Sequence, residues 1–306
     1  MTLSLFLTQA LNGVQFGVML FLMAAGLTLV FGIMNLVNLA HGSLYMMGAY
    51  FLAALVPVTG NFFVAAVLAV AASLALGIVV ELIALRTLYR RDHLDQVLCT
   101  FGLILFFNEI VRMIWGATAL FVQPPPILSG FVQLLPGVIY PVYRLTIMGV
   151  GLAVAIFLYW LNGHTRLGML IRAGASNRAM VGALGVNITL LYTLVFGLGA
   201  ALAGLAGVMA GPILSVQSGM GDSILILTFV VIVIGGIGSI RGALVASILV
   251  GVVDTVGRVF LPLVLGAVFS PATSSKVGPA IASMSIYILM AAILFFRPQG
   301  LFPAHR

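Results

Sequence analysis

The sequence predicts an all-α polytopic membrane protein of about nine spans (eight to ten), two of them short or discontinuous. Three observations lead there. The chain is 63% hydrophobic and only 6% charged over 306 residues, with a mean hydropathy of +1.28, whereas a soluble domain carries roughly 25% charged residues. No residue from Met1 to Val80 is Asp, Glu, Lys or Arg, a stretch that a soluble fold could not keep in water. A basic, acid-free island, Asn162–Asn187, stands between long apolar runs, and the positive-inside bias assigns such an island to the cytoplasm.

A spanning helix needs about 20 apolar residues. The first segment that qualifies, 10–33, lacks the basic leader of a cleavable signal peptide, so it reads as a span that is its own membrane signal. Next comes 43–57, short enough to be a half-helix, then 61–85 and, after a basic loop at 86–95, 96–115. Past the Pro124-Pro125-Pro126 run lies 144–161. The island 162–188 separates it from 189–211, and 223–239 is again short. The last two are 242–262 and 277–296, before the tail 297–306. Prolines 57, 141, 262, 271 and 298 mostly fall near span ends, where a missing N–H costs little. No linker or soluble domain interrupts the chain, which reads as one membrane domain, 1–306. Placing Arg86, Arg90, Arg91, the island, Arg241, Arg297 and Arg306 inside puts nine of the thirteen basic residues in the cytoplasm. Arg112, Arg144 and Lys276 then fall toward the outer ends and Arg258 lies within a span. The N-terminus is outside and the C-terminus inside. The net charge of +7 is spread over these short loops, which argues for orientation in a bilayer rather than nucleic-acid binding. Cys99 has no partner for a disulfide.

The island's interior reads as structured. Ser176 can cap a helix of about two turns over 177–184, and Gly185 stands where a helix stop belongs. Asn177, Met180, Val181 and Leu184 would share one face, with Arg172 and Arg178 as flanking charges, and such a stripe offers a partner something to hold.

Two interruptions mark a candidate pathway. Asn35, Asn38, His41, Gly42, Ser43 and Tyr45 cluster between an apolar span and a short one. In the second half, Gly235, Gly236, Gly238 and Gly242 fall within eight residues and would break a helix. Irregular backbone at membrane depth survives only when buried in protein or lining a cavity, and paired interruptions point toward a transport path. The remaining small residues read as close helix packing. Glu109 with Arg112 and Asp254 with Arg258 lie three and four apart, so each reads as a structural ion pair on one helix face. Glu81 can reach Arg86 or a neighbouring helix. Every acid in a clear span thus has a basic residue three to five positions away, which disfavours a transporter driven by an ion gradient alone.

No phosphate-binding Gly-Lys loop, His-Glu-x-x-His motif or cysteine pair occurs, so the sequence offers no catalytic residue, metal site or cofactor site of its own. At this point three patches carry a resemblance: Gly26–Tyr50 with Asn38-Leu39-Ala40-His41-Gly42, Arg166–Asn187, and Val231–Gly251 with its Gly-Gly-Ile-Gly-Ser run. In this order they are similar to the H-type permease subunit of branched-chain amino acid (LIV-type) ABC importers. The resemblance implies a bacterial inner-membrane permease that pairs with a second, related permease. Two cytoplasmic ATPases, which hold ATP and Mg, would drive the pair, and an extracytoplasmic binding protein would deliver the amino acid. The island is then the coupling loop. The chain departs from the family in carrying Ala175-Ser176-Asn177 where an acidic residue is usual. A gradient-driven secondary transporter or channel is the alternative, and a membrane scaffold a third reading that leaves the two glycine-rich breaks unexplained.

Overall fold

The computed structural model describes residues 3–267 and 269–302; Arg306, one of the basic residues assigned to the cytoplasmic tail, lies outside them, as does the side chain of Arg90. In chain order the elements are α1 (Leu3–Met34), α2 (His41–Thr59), α3 (Phe62–Ile83), α4 (His93–Trp115), β1 (Phe131–Leu135), β2 (Val138–Pro141), α5 (Val142–His164), α6 (Arg166–Ala183), α7 (Ile188–Ala210), α8 (Met220–Gly235), α9 (Ile240–Leu265) and α10 (Pro271–Phe296). Each of the nine expected spans coincides with a helix. Eight helices among the described residues are long and apolar enough to cross a membrane, and α8, with 16 residues, is the short one. The expected short span 43–57 is a 19-residue helix whose first ten residues are all buried. Outside the spans the structure adds an antiparallel hairpin, β1 with β2, in a stretch the sequence leaves as loop.

Helix α1 stands at the centre. Val18 to Val30 is buried on every side, as expected of a helix that is apolar all round. It packs on α9 and α7, and α7 in turn packs on α2 and α3. In lipid these contacts draw on close packing rather than on water exclusion. Thus Gly17 lies against the Ser247–Ile248 backbone, where an added Cβ would come within 2.6 Å of the Ser247 carbonyl oxygen. The outer faces of α3, α4 and α10 carry exposed apolar side chains such as Val67, Phe101 and Phe295, which suit lipid.

Two segments turn back into the protein. After α1, Asn35 adopts a left-handed backbone (φ 51°), a conformation that Asn tolerates better than most residues. Residues 35–40 then descend beside α1 until the His41 ring meets the Met23 carbonyl, Nε2 to O 3.3 Å. Met23 is eleven residues from the end of α1, so α2 starts about 16 Å below that end at 1.5 Å per residue. From the other side, residues 211–219 enter after α7, tied by a bridge between Leu120 and Val216 (N to O 2.8 and 2.9 Å). Gly219, at φ 82°, opens α8. The two re-entrant segments place the first turns of α2 and α8 backbone to backbone: a Cβ on Gly42 would lie 2.6 Å from the Gly221 carbonyl oxygen.

One end of the bundle gathers the segments assigned to the cytoplasm. Arg86 reaches Thr193 near the start of α7, Arg241 lies 5.2 Å over the Tyr159 ring, and Gly174 faces Ile33. Leu301 and Phe302 donate backbone hydrogen bonds to Ile234 and Gly235 (2.8 and 3.0 Å). At the opposite end Arg144 hydrogen-bonds Asn12, and Arg112 donates to Ser218. Arg86 and Arg241 thus gather at one end and Arg112 and Arg144 at the other, as the sequence expects.

Candidate functional site

Residues 162–188 are mostly helical. Helix α5 runs on to His164, and after the Thr165 cap α6 begins at Arg166. Its first half is anchored through buried Gly168, Ile171 and Gly174. At Asn177 the backbone leaves the helix (φ −151°, ψ 90°), and the Asn177 side chain accepts from the Met180 N–H at 3.0 Å. The cap of the short helix is therefore Asn177 and not Ser176. Asn tolerates the extended backbone and supplies the acceptor oxygen that the orphan N–H needs. Gly185 (φ 86°) closes the helix, with Gly185 N to Gly182 O (3.0 Å) and Val186 N to Val181 O (3.3 Å), the paired bonds of a Schellman stop. Met180 and Leu184 are 59% and 76% exposed, whereas Val181, expected beside them, is 6% exposed and packs inward. Arg172 and Arg178 are both exposed.

An open cleft of about 440 Å³ separates this elbow from α1, lined by Gly32, Ile33, Asn35 and residues 174–179. It joins two regions the sequence treats separately, the short helix 178–183 and the first re-entrant segment. Deeper in that segment Asn38, His41, Ser43 and Tyr45 are at most 2% exposed. Both polar atoms of Asn38, the Ser43 hydroxyl and His41 Nδ1 find no protein partner among the described residues. Buried polar atoms are overwhelmingly paired, so these four atoms keep hydrogen-bonding capacity for water or a polar solute.

The glycine run belongs elsewhere. Gly235 packs on Gly242, and Gly236 and Gly238 take φ 102° and 84° in the short turn between α8 and α9. That turn lies at the cytoplasmic end, with Gly238 beside Gly32 and Gly236 under the 299–302 segment. The break expected at Gly235–Gly238 is a tight turn between two spans, and the second interruption at depth is 211–219.

Of the expected ion pairs, Asp254–Arg258 is firm, at 2.8 Å with Asp254 buried. Glu109–Arg112 is loose, at 3.8 Å with both side chains more than half exposed. Glu81 is fully buried and accepts from Tyr89 OH (2.6 Å) and Thr193 Oγ1 (2.8 Å), with Arg86 at 3.5 Å. Burial first, and then the bond to Glu81, push the Tyr89 hydroxyl far above its ordinary range, so it stays a donor. The residue missed from sequence is Asp222. It precedes the expected span 223–239 by one position, yet sits in the first turn of α8, exposed and without a basic partner among the described residues.

The family described as "Branched-chain amino acid transport system / permease component" matches residues 9–294. The high-affinity branched-chain amino acid transport system permease protein LivH of Escherichia coli K12 is 32% identical over 284 residues, covering 84% of this chain and 87% of that protein. The corresponding permease BraD of Pseudomonas aeruginosa is 31% identical over 310 residues, 97% and 95% of the two chains. A probable branched-chain amino acid transport permease of Methanocaldococcus jannaschii is 26% identical over 298 residues, 92% of this chain and 88% of its own. No solved structure matches.

Proposed function

Since this chain belongs to the branched-chain amino acid transport permease family, we propose that it is the membrane-spanning subunit of an ATP-driven importer for branched-chain or related amino acids. It is a multi-pass protein of the inner membrane. A second, related permease completes the channel, two cytoplasmic ATPases hold ATP and Mg, and an extracytoplasmic binding protein delivers the substrate.

The observation that carries this reading is the capped helix 178–183 standing on the cleft that Asn35 also lines. Its exposed Met180 and Leu184 have nothing among the described residues to bury against, and a groove on an ATPase supplies that surface. Asn35 is the pivot of the re-entrant segment that leads to Asn38 and His41. A shift of the short helix driven by ATP therefore acts on the start of that segment, and access alternates as a two-state rearrangement.

A second reading, transport driven by an ion gradient, gains one observation: Asp222, in the first turn of a span, has no basic partner among the described residues. Reconstitution separates the two. Proteoliposomes holding this chain with the second permease and the ATPases, supplied with binding protein, should accumulate labelled leucine only with enclosed ATP, and ionophores should not matter. Uptake that needs a proton or sodium gradient and ignores ATP would sink the importer reading.

A further inference from the structure

Three routes fix the depth of Asp222. Its neighbour Gly221 packs on Gly42, next to His41, whose ring is about 16 Å below the inner end of α1. Helix α8 needs about 20 Å to run from Gly221 to its inner end, and Asn108 lies about 22 Å along α4 from His93. All three put the first turn of α8 between about half and three quarters of the way across a hydrocarbon core of about 30 Å, on its outer side. There Asn108 Oδ1 accepts from the Gly219 N–H at 3.1 Å, and its amide also lies against the Asp222 carboxylate. One turn outward on the same face of α4, Arg112 Nε donates to Ser218 Oγ at 3.1 Å.

This is a mixed-charge cluster left open. No cation among the described residues lies within 4 Å of the Asp222 carboxylate. Arg112 holds Ser218 firmly and Glu109 only at 3.8 Å, which leaves most of its five N–H donors free. A carboxylate in the outer half of the membrane, with an arginine at its edge, does not face lipid; such charges face water, a partner or a solute. A free amino acid offers one ammonium and one carboxylate a few ångströms apart, opposite in sign to what Asp222 and Arg112 present. One turn along α8 on the Asp222 face, Ile226 is 53% exposed and suits an aliphatic side chain.

We propose that Asp222 and Arg112, on either side of Asn108, recognise the two charged ends of an amino-acid zwitterion as it enters the membrane from the outer side, Asp222 taking the ammonium and Arg112 the carboxylate. The proposal rests on the import reading and names the contacts that the re-entrant polar cluster, which has no fixed charge, does not supply. The binding protein would otherwise mask selectivity, so the test uses the purified permease–ATPase complex without it. Binding of labelled leucine is competed with its α-keto acid, which lacks the ammonium, and with isoamylamine, which lacks the carboxylate. Asp222→Asn should weaken leucine binding tenfold or more while sparing the keto acid. Arg112→Gln should weaken leucine and keto acid while sparing the amine, and these opposite patterns are not the signature of a folding defect. Asp222→Glu, which keeps the charge, should restore part of the loss. Wild-type leucine affinity in both neutral variants, or no leucine binding by the wild-type complex, overturns the proposal. So does a Asp222→Asn complex that binds leucine normally but no longer responds to binding protein, since the cluster would then be a docking surface. If the wild-type importer accumulates no amino acid at all, the import reading itself fails.

Discussion

Glu81 offers the sharpest test of how the cytoplasmic loops are fastened to the spans. Its carboxylate lies at the inner end of α3 and binds the turn after that helix, through Tyr89 and Arg86, to Thr193 on α7. Thr193 stands six residues after Asn187, which caps α7 just beyond the coupling helix. Glu81→Ala removes the acceptor of two short hydrogen bonds. Bonds to a charged group contribute about 1.5–3 kcal/mol each. Thr193 still donates to the Thr189 carbonyl at 3.1 Å, and Arg86, 41% exposed, can turn to water. The Tyr89 bond is thus the main loss, with a smaller share from Thr193, and the expected cost is about 3 kcal/mol. Glu81→Gln keeps one acceptor for Tyr89, and its amide can donate to Thr193. The long Arg86 contact goes, which contributes about 0–1 kcal/mol, and the Tyr89 and Thr193 bonds lose their charge assistance, so the Gln variant should cost about 1 kcal/mol. The ordering of thermal stability in detergent should therefore be wild type, then Gln close behind, then Ala well below, with Thr193→Val near Gln. Equal stability of the Ala and Gln variants would show that the carboxylate holds nothing in place.

The coupling helix makes a second prediction. Met180→Asp and Leu184→Asp should abolish uptake and ATPase co-purification with normal membrane insertion, because a lost apolar anchor costs more than about 1 kcal/mol; Arg178→Ala should be milder. Val181→Asp should instead lower the amount of folded protein, since Val181 is buried, and retained pull-down by the first two variants would reduce the helix to a connector. At the α8–α9 turn, Gly236→Leu should cripple uptake. Its φ of 102° disfavours any side chain, and a Cβ would lie 2.7 Å from the Phe302 carbonyl oxygen. The displaced C-terminal segment should become protease-sensitive, and normal uptake with a protected tail would refute that account.

The spans were legible because bilayer thickness imposes a length and a composition that few other segments meet. The coupling helix was legible through its ends, Gly185 above all, although the cap moved from Ser176 to Asn177 because either residue can supply the acceptor oxygen. The β1–β2 hairpin was not legible, since two strands of four and five residues beside a proline run leave too little pattern. Val181 was placed on the wrong face because a helix of two turns does not carry enough periodicity to say which side the protein covers.

Glycine and Asp222 misled for a common reason. A glycine-rich run marks backbone that comes close to something, and sequence does not say whether that is a solute, a cavity or another helix. At Gly235 the neighbour is Gly242, so the run closes a turn. The interruption that does reach membrane depth, 211–219, contains Pro212 and ordinary turn residues and reads as an outer loop until Gly221 meets Gly42. Because hydropathy ends the apolar span at 223, Asp222 falls outside it, and the inference that every span acid has a basic neighbour survives only by that one residue. Once α8 is seen to start at Met220, the acid moves from a loop into the first turn of a span, where a carboxylate is stabilised by a cation. On the proposal above, with Arg112 committed to Ser218, that cation is the ammonium of the substrate.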